Sequence, residues 1–299
     1  MSDPVATAGP DLRGKIALVA GGTRGGGRAI AVELGAAGAT VYVTGRTTEA
    51  SSSPMERPET IEGTAALVDE AGGTGIAVRV DHSSGDEVGE LMARISADHG
   101  RLDVLVNDVW GGDAMTEWEG PFWKNDLDRG LALLRQGIDT HVITSWHAGP
   151  LLTESDDGLV VEVTDGTSAR YRGAFFYDLV KATVIRLAVG QAEEFRPDNV
   201  AVVAISPGFL RSEAMLDHFG VTEETWRDAI AEDPHFAYSE TPHYLGRAVA
   251  ALAGDRDKMT LTGTATATWE LFGRYGFTDL DGTQPDWGTH ARTDLGLEP

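Results

Sequence analysis

The strongest constraint on this chain is an alternation of short apolar runs with helix-period segments along nearly its whole length. Runs fit for buried strands occur at Lys15–Ala20, Thr40–Thr44, Gly75–Val80, Leu102–Asn107, Leu159–Val163, Asn199–Ile205 and Leu261–Thr268. Between them, apolar residues recur at helical spacing over Arg28–Leu34 and roughly over 59–71, 85–98 and 126–148, with a further helix after Arg172 and a broken one over 213–254. Continuously apolar strands need cover on both faces, and helical crossovers provide it when the strands run parallel. The expected fold is therefore α/β, a doubly wound parallel sheet of about seven strands flanked by helices. A single domain over residues 11–272 accounts for the pattern, with 1–10 as a flexible leader and 273–299 as a tail that reads clearly as neither element.

Composition removes several functional classes. No stretch approaches the roughly eighteen consecutive apolar residues of a membrane-spanning helix. The first ten residues carry neither a basic nor an apolar segment of the kind that directs secretion. With no cysteine, disulfides, thiolate catalysis and Cys-ligated zinc are excluded, which fits a cytoplasmic setting. A net charge of −23 and a pI near 4.6 argue against nucleic-acid binding, which needs clustered Lys and Arg. His141 and His147 are not spaced as a one-face pair on a helix, so no metal site is expected.

Two local patterns carry chemistry. The first run meets Gly21-Gly-Thr-Arg-Gly-Gly-Gly27 and then a helix. Glycines let a backbone approach a pyrophosphate closely, and a helix N-terminus offers unpaired N–H groups and a favourable dipole. Neither G-x-G-x-x-G nor a Walker loop is present. The second strand ends in Gly45-Arg46 with no acid to hold an adenosine ribose, and Arg24 and Arg46 suit a 2′-phosphate, which favours NADP over NAD. Further on, Tyr177 and Lys181 share one helix face, where a cation one turn away favours the phenolate and makes Tyr177 a candidate proton donor. Trp110, Trp118 and Trp123, on the loop leaving the fourth strand, lie where open α/β sheets bind ligands and are expected to wall the substrate site.

Taken together, these residues resemble the short-chain dehydrogenase/reductase family over roughly residues 12–268, which implies a Rossmann-type fold. Ala20 to Gly27 is similar to the family's T-G-x-x-x-G-x-G turn, giving Gly21, Thr23, Arg24, Gly25, Gly26 and Gly27 as cofactor residues. Tyr177 to Lys181 matches Y-x-x-x-K. Asp81, followed by His82, falls where the family contacts adenine, and Asn107 is the one survivor of its N-N-A-G motif. Pro207, Gly208 and Ser212 resemble the loop beside the nicotinamide. The family also has a serine about thirteen residues before the tyrosine. Thr164 has that spacing, gap-free alignment of the strand puts Asp165 there instead, and Ser168 is the next residue to consider. His141 replaces the family's relay asparagine, either as a substitute or as a loss.

The resemblance implies an NADP-dependent oxidoreductase that interconverts a carbonyl and an alcohol on a small or medium, partly apolar substrate. It also implies a homodimer or homotetramer, with no nucleic-acid or membrane partner. The alternative is an NADP-binding regulatory protein that has lost catalysis, suggested by the missing serine and asparagine. A non-redox enzyme such as a dehalogenase would lack the cofactor glycines and the lysine, and both are present.

Overall fold

In the computed structural model, residues 9–51, 53 and 57–298 are described; most of the expected leader and part of the polar loop over 47–58 lie outside them. The strands are β1 (Ile16–Ala20), β2 (Thr40–Gly45), β3 (Thr74–Arg79), β4 (Val104–Asn107), β5 (Leu159–Val163), β6 (Ala201–Ser206) and β7 (Ala265–Ala267). They form one seven-stranded sheet in the order β3-β2-β1-β4-β5-β6-β7, every pair parallel. The expected fold class is what the chain adopts.

Strand alternation sends successive side chains to opposite faces, so each buried strand feeds two cores. Val19, Val43, Val106 and Val161 pack on Ile30 and Leu34 of α1 (Gly25–Ala36), Val68 of α2 (Ile61–Glu70) and Val249 of α8 (Pro242–Gly254). Leu18, Leu105, Val160 and Val202 face the other way, onto Ile95 of α3 (Gly85–His99), Leu151 of α5 (Thr140–Leu152) and Ala188 of α6 (Phe175–Phe195). Because β1 sits between β2 and β4, the chain winds outward from it in both directions. The crevice at the carboxyl ends of β1 and β4 is the place such sheets offer to a ligand.

Local outcomes differ from expectation in three places. The helix expected over 126–148 is α4 (Leu127–Leu134), a π-helical turn over Arg135–Asp139, and α5. Two glycines lie beside that turn because α6 comes very close. A Cβ on Gly130 would fall 2.4 Å from the Phe176 ring, and one on Gly137 would fall 2.5 Å from Val180. The last strand is only Ala265–Ala267, where it pairs with β6. Beyond it, α9 (Thr268–Tyr275) runs across the boundary expected at residue 272, and α10 (Trp287–Asp294) follows. The segment after β6 holds α7 (Glu213–Phe219) and two 3-10 turns before α8.

Under the crevice lies a buried carboxyl. Glu162 on β5 is fully buried and accepts from Asn107 Nδ2 at 3.0 Å and Gln191 Nε2 at 2.9 Å, with His141 Nδ1 at 2.6 Å. Its partners belong to β4, α6 and α5, so one side chain ties together the elements that carry the site. Removing it strands several buried polar groups at about 1–3 kcal/mol each. Glu162→Ala is therefore expected to lower unfolding stability by roughly 3 kcal/mol or more, read as a fall in the urea midpoint. A midpoint unchanged from the parent would show that the network holds nothing together.

Candidate active site

At the carboxyl ends of the strands the protein encloses a cleft of about 1030 Å³. One end is built by the turn between β1 and α1. Gly21 there has φ +89, and a Cβ on it would fall 2.3 Å from the Asp108 carbonyl oxygen, so only glycine fits. Thr23, Arg24, Gly25 and Gly26 line the cleft beside it. Gly27 does not; it is buried, and a Cβ on it would meet the Gly21 carbonyl at 2.3 Å. Its task is to let α1 close on the turn. The Gly25 N–H donates to Glu213 Oε2 at 2.9 Å, so the chain's own carboxylate demonstrates that this helix terminus accepts an anionic oxygen.

Next to the turn, Arg46 and Asp81 line the cleft as a loose pair 3.8 Å apart. Burial works to raise the Asp81 pKa, but hydrogen bonds from Ser83 and the charge of Arg46 hold it below the usual value. Arg24 donates to Ser53 at 3.0 Å and lies 3.6 Å from Glu59. His82 is buried between Thr44 and Thr144, with each hydroxyl 2.8 Å from a ring nitrogen.

The other end carries the reactive groups. Tyr177 Oη donates to Asp165 Oδ2 at 2.8 Å. Thr164, whose spacing from Tyr177 made it the competing candidate, also lines the cleft, but its hydroxyl is engaged, donating to the Lys181 carbonyl at 2.9 Å. Of the two neighbours it is Asp165 whose side chain meets Tyr177. Ser168 lies farther along the same loop, where its hydroxyl donates to the Glu298 carbonyl at 3.0 Å. The loop itself is laced by Arg172, which donates to the carbonyls of Asp165 and Ser168 and to Asp178 Oδ1.

Electrostatics here run against the expectation of a readily formed phenolate. Burial, then the charge and hydrogen bond of Asp165, push the Tyr177 phenol far above the usual tyrosine range. Burial lowers the Lys181 pKa while Asp165, Asp108 and Asp113 oppose it, and its ammonium lies 4.1 Å from the Trp110 ring centre. Without a ligand, Tyr177 is thus a neutral phenol. Trp110 and Trp118 flank it, with ring centres at 5.6 and 5.1 Å. Trp123 is 73% exposed and packs on Phe122, and of the three tryptophans expected to wall the site Trp110 alone lines the cleft.

Pro207, Gly208 and Ser212 line the cleft beside these groups, and Ser212 also caps α7. Asn107 does not reach the cleft. It is buried behind it on Glu162 and Ser145, a structural tie and not a ligand contact. His141 is likewise held on Glu162. Among the cleft residues not anticipated from the sequence are Asp108, Glu213 and Trp287. Asp108 is half-buried beside Gly27 and Lys181, and loss of water around its carboxyl raises its pKa to about 6. Its only signal was adjacency to Asn107, whereas Trp287 is brought in from a tail with no readable pattern. Among the described residues no cluster could hold a metal ion, and no helix is long and apolar enough to cross a membrane.

A family model described as short chain dehydrogenase matches residues 15–219. The chain belongs to the short-chain dehydrogenase/reductase family. It is 32% identical to mouse dehydrogenase/reductase SDR family member 1 over 276 residues, covering 91% of this chain and 85% of the relative, and 31% identical to the human protein over the same length. Among solved structures, a short chain dehydrogenase from Mycobacterium thermoresistibile superposes with a TM-score of 0.75 at 24% identity, covering 90% of each chain. A hydroxysteroid dehydrogenase from Escherichia coli gives 0.69 at 21%, covering 86% of this chain and 96% of its own. These last two establish the fold. Membership of this dehydrogenase/reductase family makes the protein an NAD(P)-dependent oxidoreductase acting on a small molecule.

One prediction concerns His82. Each flanking threonine also has a backbone carbonyl to donate to, Val19 O for Thr44 and Thr140 O for Thr144, so one hydroxyl can donate to a neutral ring while the other accepts from it. Burial lowers the His82 pKa from 6.5 to about 4. A depressed folded-state pKa contributes stability that is present above the unfolded value and lost as pH falls through the folded one. Between pH 6.5 and 4 the His82 contribution should fall by about 3 kcal/mol, read as a drop in the urea midpoint that is smaller in His82→Gln. An equal drop in both proteins would contradict the neutral ring.

Proposed function

We propose that the protein is an NADP-dependent oxidoreductase that interconverts a carbonyl and an alcohol on a small or medium, partly apolar substrate, with Tyr177 as proton donor and acceptor. The observation that carries this reading is the 2.8 Å Tyr177–Asp165 pair, one helical turn from Lys181, in the same cleft as the anion-accepting terminus of α1. The cofactor, when bound, supplies the hydride. Gly25 and Gly26 hold its phosphates at that terminus, and displacing Glu213 opens the position. Thr23 and Asp81 flank it, with His82 behind Asp81, while Pro207, Gly208 and Ser212 hold its reactive end.

In reduction, Tyr177 gives its proton to the carbonyl oxygen. Asp165, which accepts from the Tyr177 hydroxyl in the free site, holds that hydroxyl in place where the family serine would stand, and Lys181 stabilises the phenolate left behind. Oxidation of an alcohol runs the same transfers in reverse. A polar group facing Tyr177 where the serine is missing supports an active enzyme over a silent NADP-binding protein. The exposed Leu131, Val142 and Trp146 support self-association, as expected of a homodimer or homotetramer.

Arg24 and Arg46 line the end of the cleft beyond β2, whose own terminus, Gly45-Arg46, carries no acid, and each lies within 4 Å of a carboxylate, Glu59 at 3.6 Å and Asp81 at 3.8 Å. A charge-assisted hydrogen bond to a phosphate contributes about 1.5–3 kcal/mol, so NADPH should bind at least about tenfold more tightly than NADH. Arg46→Ala should narrow that ratio. Equal dissociation constants in the parent would remove the NADP assignment. Separately, Tyr177→Phe should lower NADPH-dependent ketone reduction by roughly 10²- to 10⁴-fold while leaving NADPH affinity nearly intact. Parent turnover in that variant would take Tyr177 out of the mechanism.

A further inference from the structure

Residues beyond α9 have no part in the reading above, yet they reach the cleft. Trp287 opens α10 and stands over the loop at the end of β6. A Cβ on Gly208 would fall 2.8 Å from that of Trp287, and the Trp287 ring lies edge-on to Phe209 at 5.7 Å. The helix is fixed in place by close contacts. Gly288 approaches Trp269 so closely that a Cβ would fall 2.2 Å from its indole nitrogen, and His290 stacks on Tyr238 at 3.7 Å while bonding His235 and Asp294. After α10, Gly296 takes φ +64 and the Leu297 N–H returns to the Ala291 carbonyl at 2.9 Å. That turn aims the chain back at the loop of Asp165, where the Ser168 hydroxyl donates to the Glu298 carbonyl. The segment therefore spans from the loop after β6 to the loop after β5, and both Trp287 and Leu297 line the cleft.

We propose that the C-terminal segment Trp287–Glu298 is the far wall of the substrate chamber, and that Trp287 and Leu297 select an uncharged carbonyl compound with a flat apolar body. This rests on the reductase reading. Trp110 already lines the cleft, edge-on to the Tyr177 ring, and the tail adds an indole and an isobutyl group to the same lining. A flat body can cover several ring faces at once, whereas a short alkyl ketone leaves most of that apolar surface in water. The wall thus favours the larger substrate through contacts the smaller one cannot make.

The test uses the full chain with 2-acetylnaphthalene and 2-butanone as probes, and compares kcat/KM for the two with NADPH as reductant. The parent should favour 2-acetylnaphthalene. Leu297→Ala, which removes apolar contact, and Leu297→Trp, which fills the chamber, should each lower that preference by roughly tenfold, with the NADPH dissociation constant within about twofold of the parent. A chain ending at Asp294 should behave as Leu297→Ala, and if it does not fold the two point variants still decide. An unchanged preference in both point variants, with the parent active, overturns the wall while the reductase reading stands. A parent that binds NADPH but reduces neither ketone nor any other carbonyl compound overturns the reductase reading, and the wall with it.

Discussion

Everything at the site depends on keeping a buried carboxyl satisfied in the middle of a hydrocarbon sheet. Glu162 sits on β5 with Asn107 of β4, His141 of α5 and Gln191 of α6 around it. A polar group at that depth is costly unless each of its bonds is made, and once they are made it permits only one arrangement of the elements that supply them. The elements it ties together also carry the residues that line the reactive end of the proposed site. Asp108 follows Asn107, Asp165 comes three residues after Glu162, and Tyr177 and Lys181 lie on the helix that carries Gln191. Hydrocarbon in place of this cluster would pack the same sheet but leave the relative placement of α5 and α6 less fixed.

That placement sets the chemistry. A tyrosine beside a carboxyl and away from water is a weak acid, and Tyr177 is held neutral by burial and by Asp165. A carbonyl oxygen entering between the two meets a ready hydrogen-bond donor. Lys181, to which the proposed mechanism gives the resulting phenolate, lies under Trp110 and among Asp108, Asp113 and Asp165. Charge at this end of the cleft is therefore balanced among neighbours and not set by the Tyr–Lys pair alone. At the other end the Gly25 N–H is occupied by Glu213.

Features encoded by local periodicity were legible in the sequence. Strand β5 lies where its apolar run predicts, and the glycine turn, the Tyr177–Lys181 face and the sheet class follow from spacing alone. What was not legible depends on contacts between distant segments. Spacing could not separate Thr164 from Asp165, because the deciding fact is a bond from Thr164 to a carbonyl seventeen residues later, at Lys181. Asn107 carries the family pattern, but its side chain is claimed by a glutamate on the next strand. The π-helical turn before His141 arises where two glycines let α6 come close, which no helical periodicity records. The tail had no pattern to read because its order comes from ring stacking against other segments, such as His290 on Tyr238.

The account stands most directly on Asp165 as the group that works with Tyr177. The decisive measurement is the turnover number of Asp165→Ala and Asp165→Ser for NADPH-dependent reduction of one good ketone substrate, with NADPH affinity measured alongside. A positioned general acid typically contributes about 10²- to 10⁴-fold to turnover, and that contribution is lost when the group holding it in place is removed. Asp165→Ala is expected to show such a loss with NADPH binding unchanged, and Asp165→Ser, which restores a hydroxyl at that position, to keep most of the parent turnover. Parent-level turnover in Asp165→Ala would contradict the account at its centre.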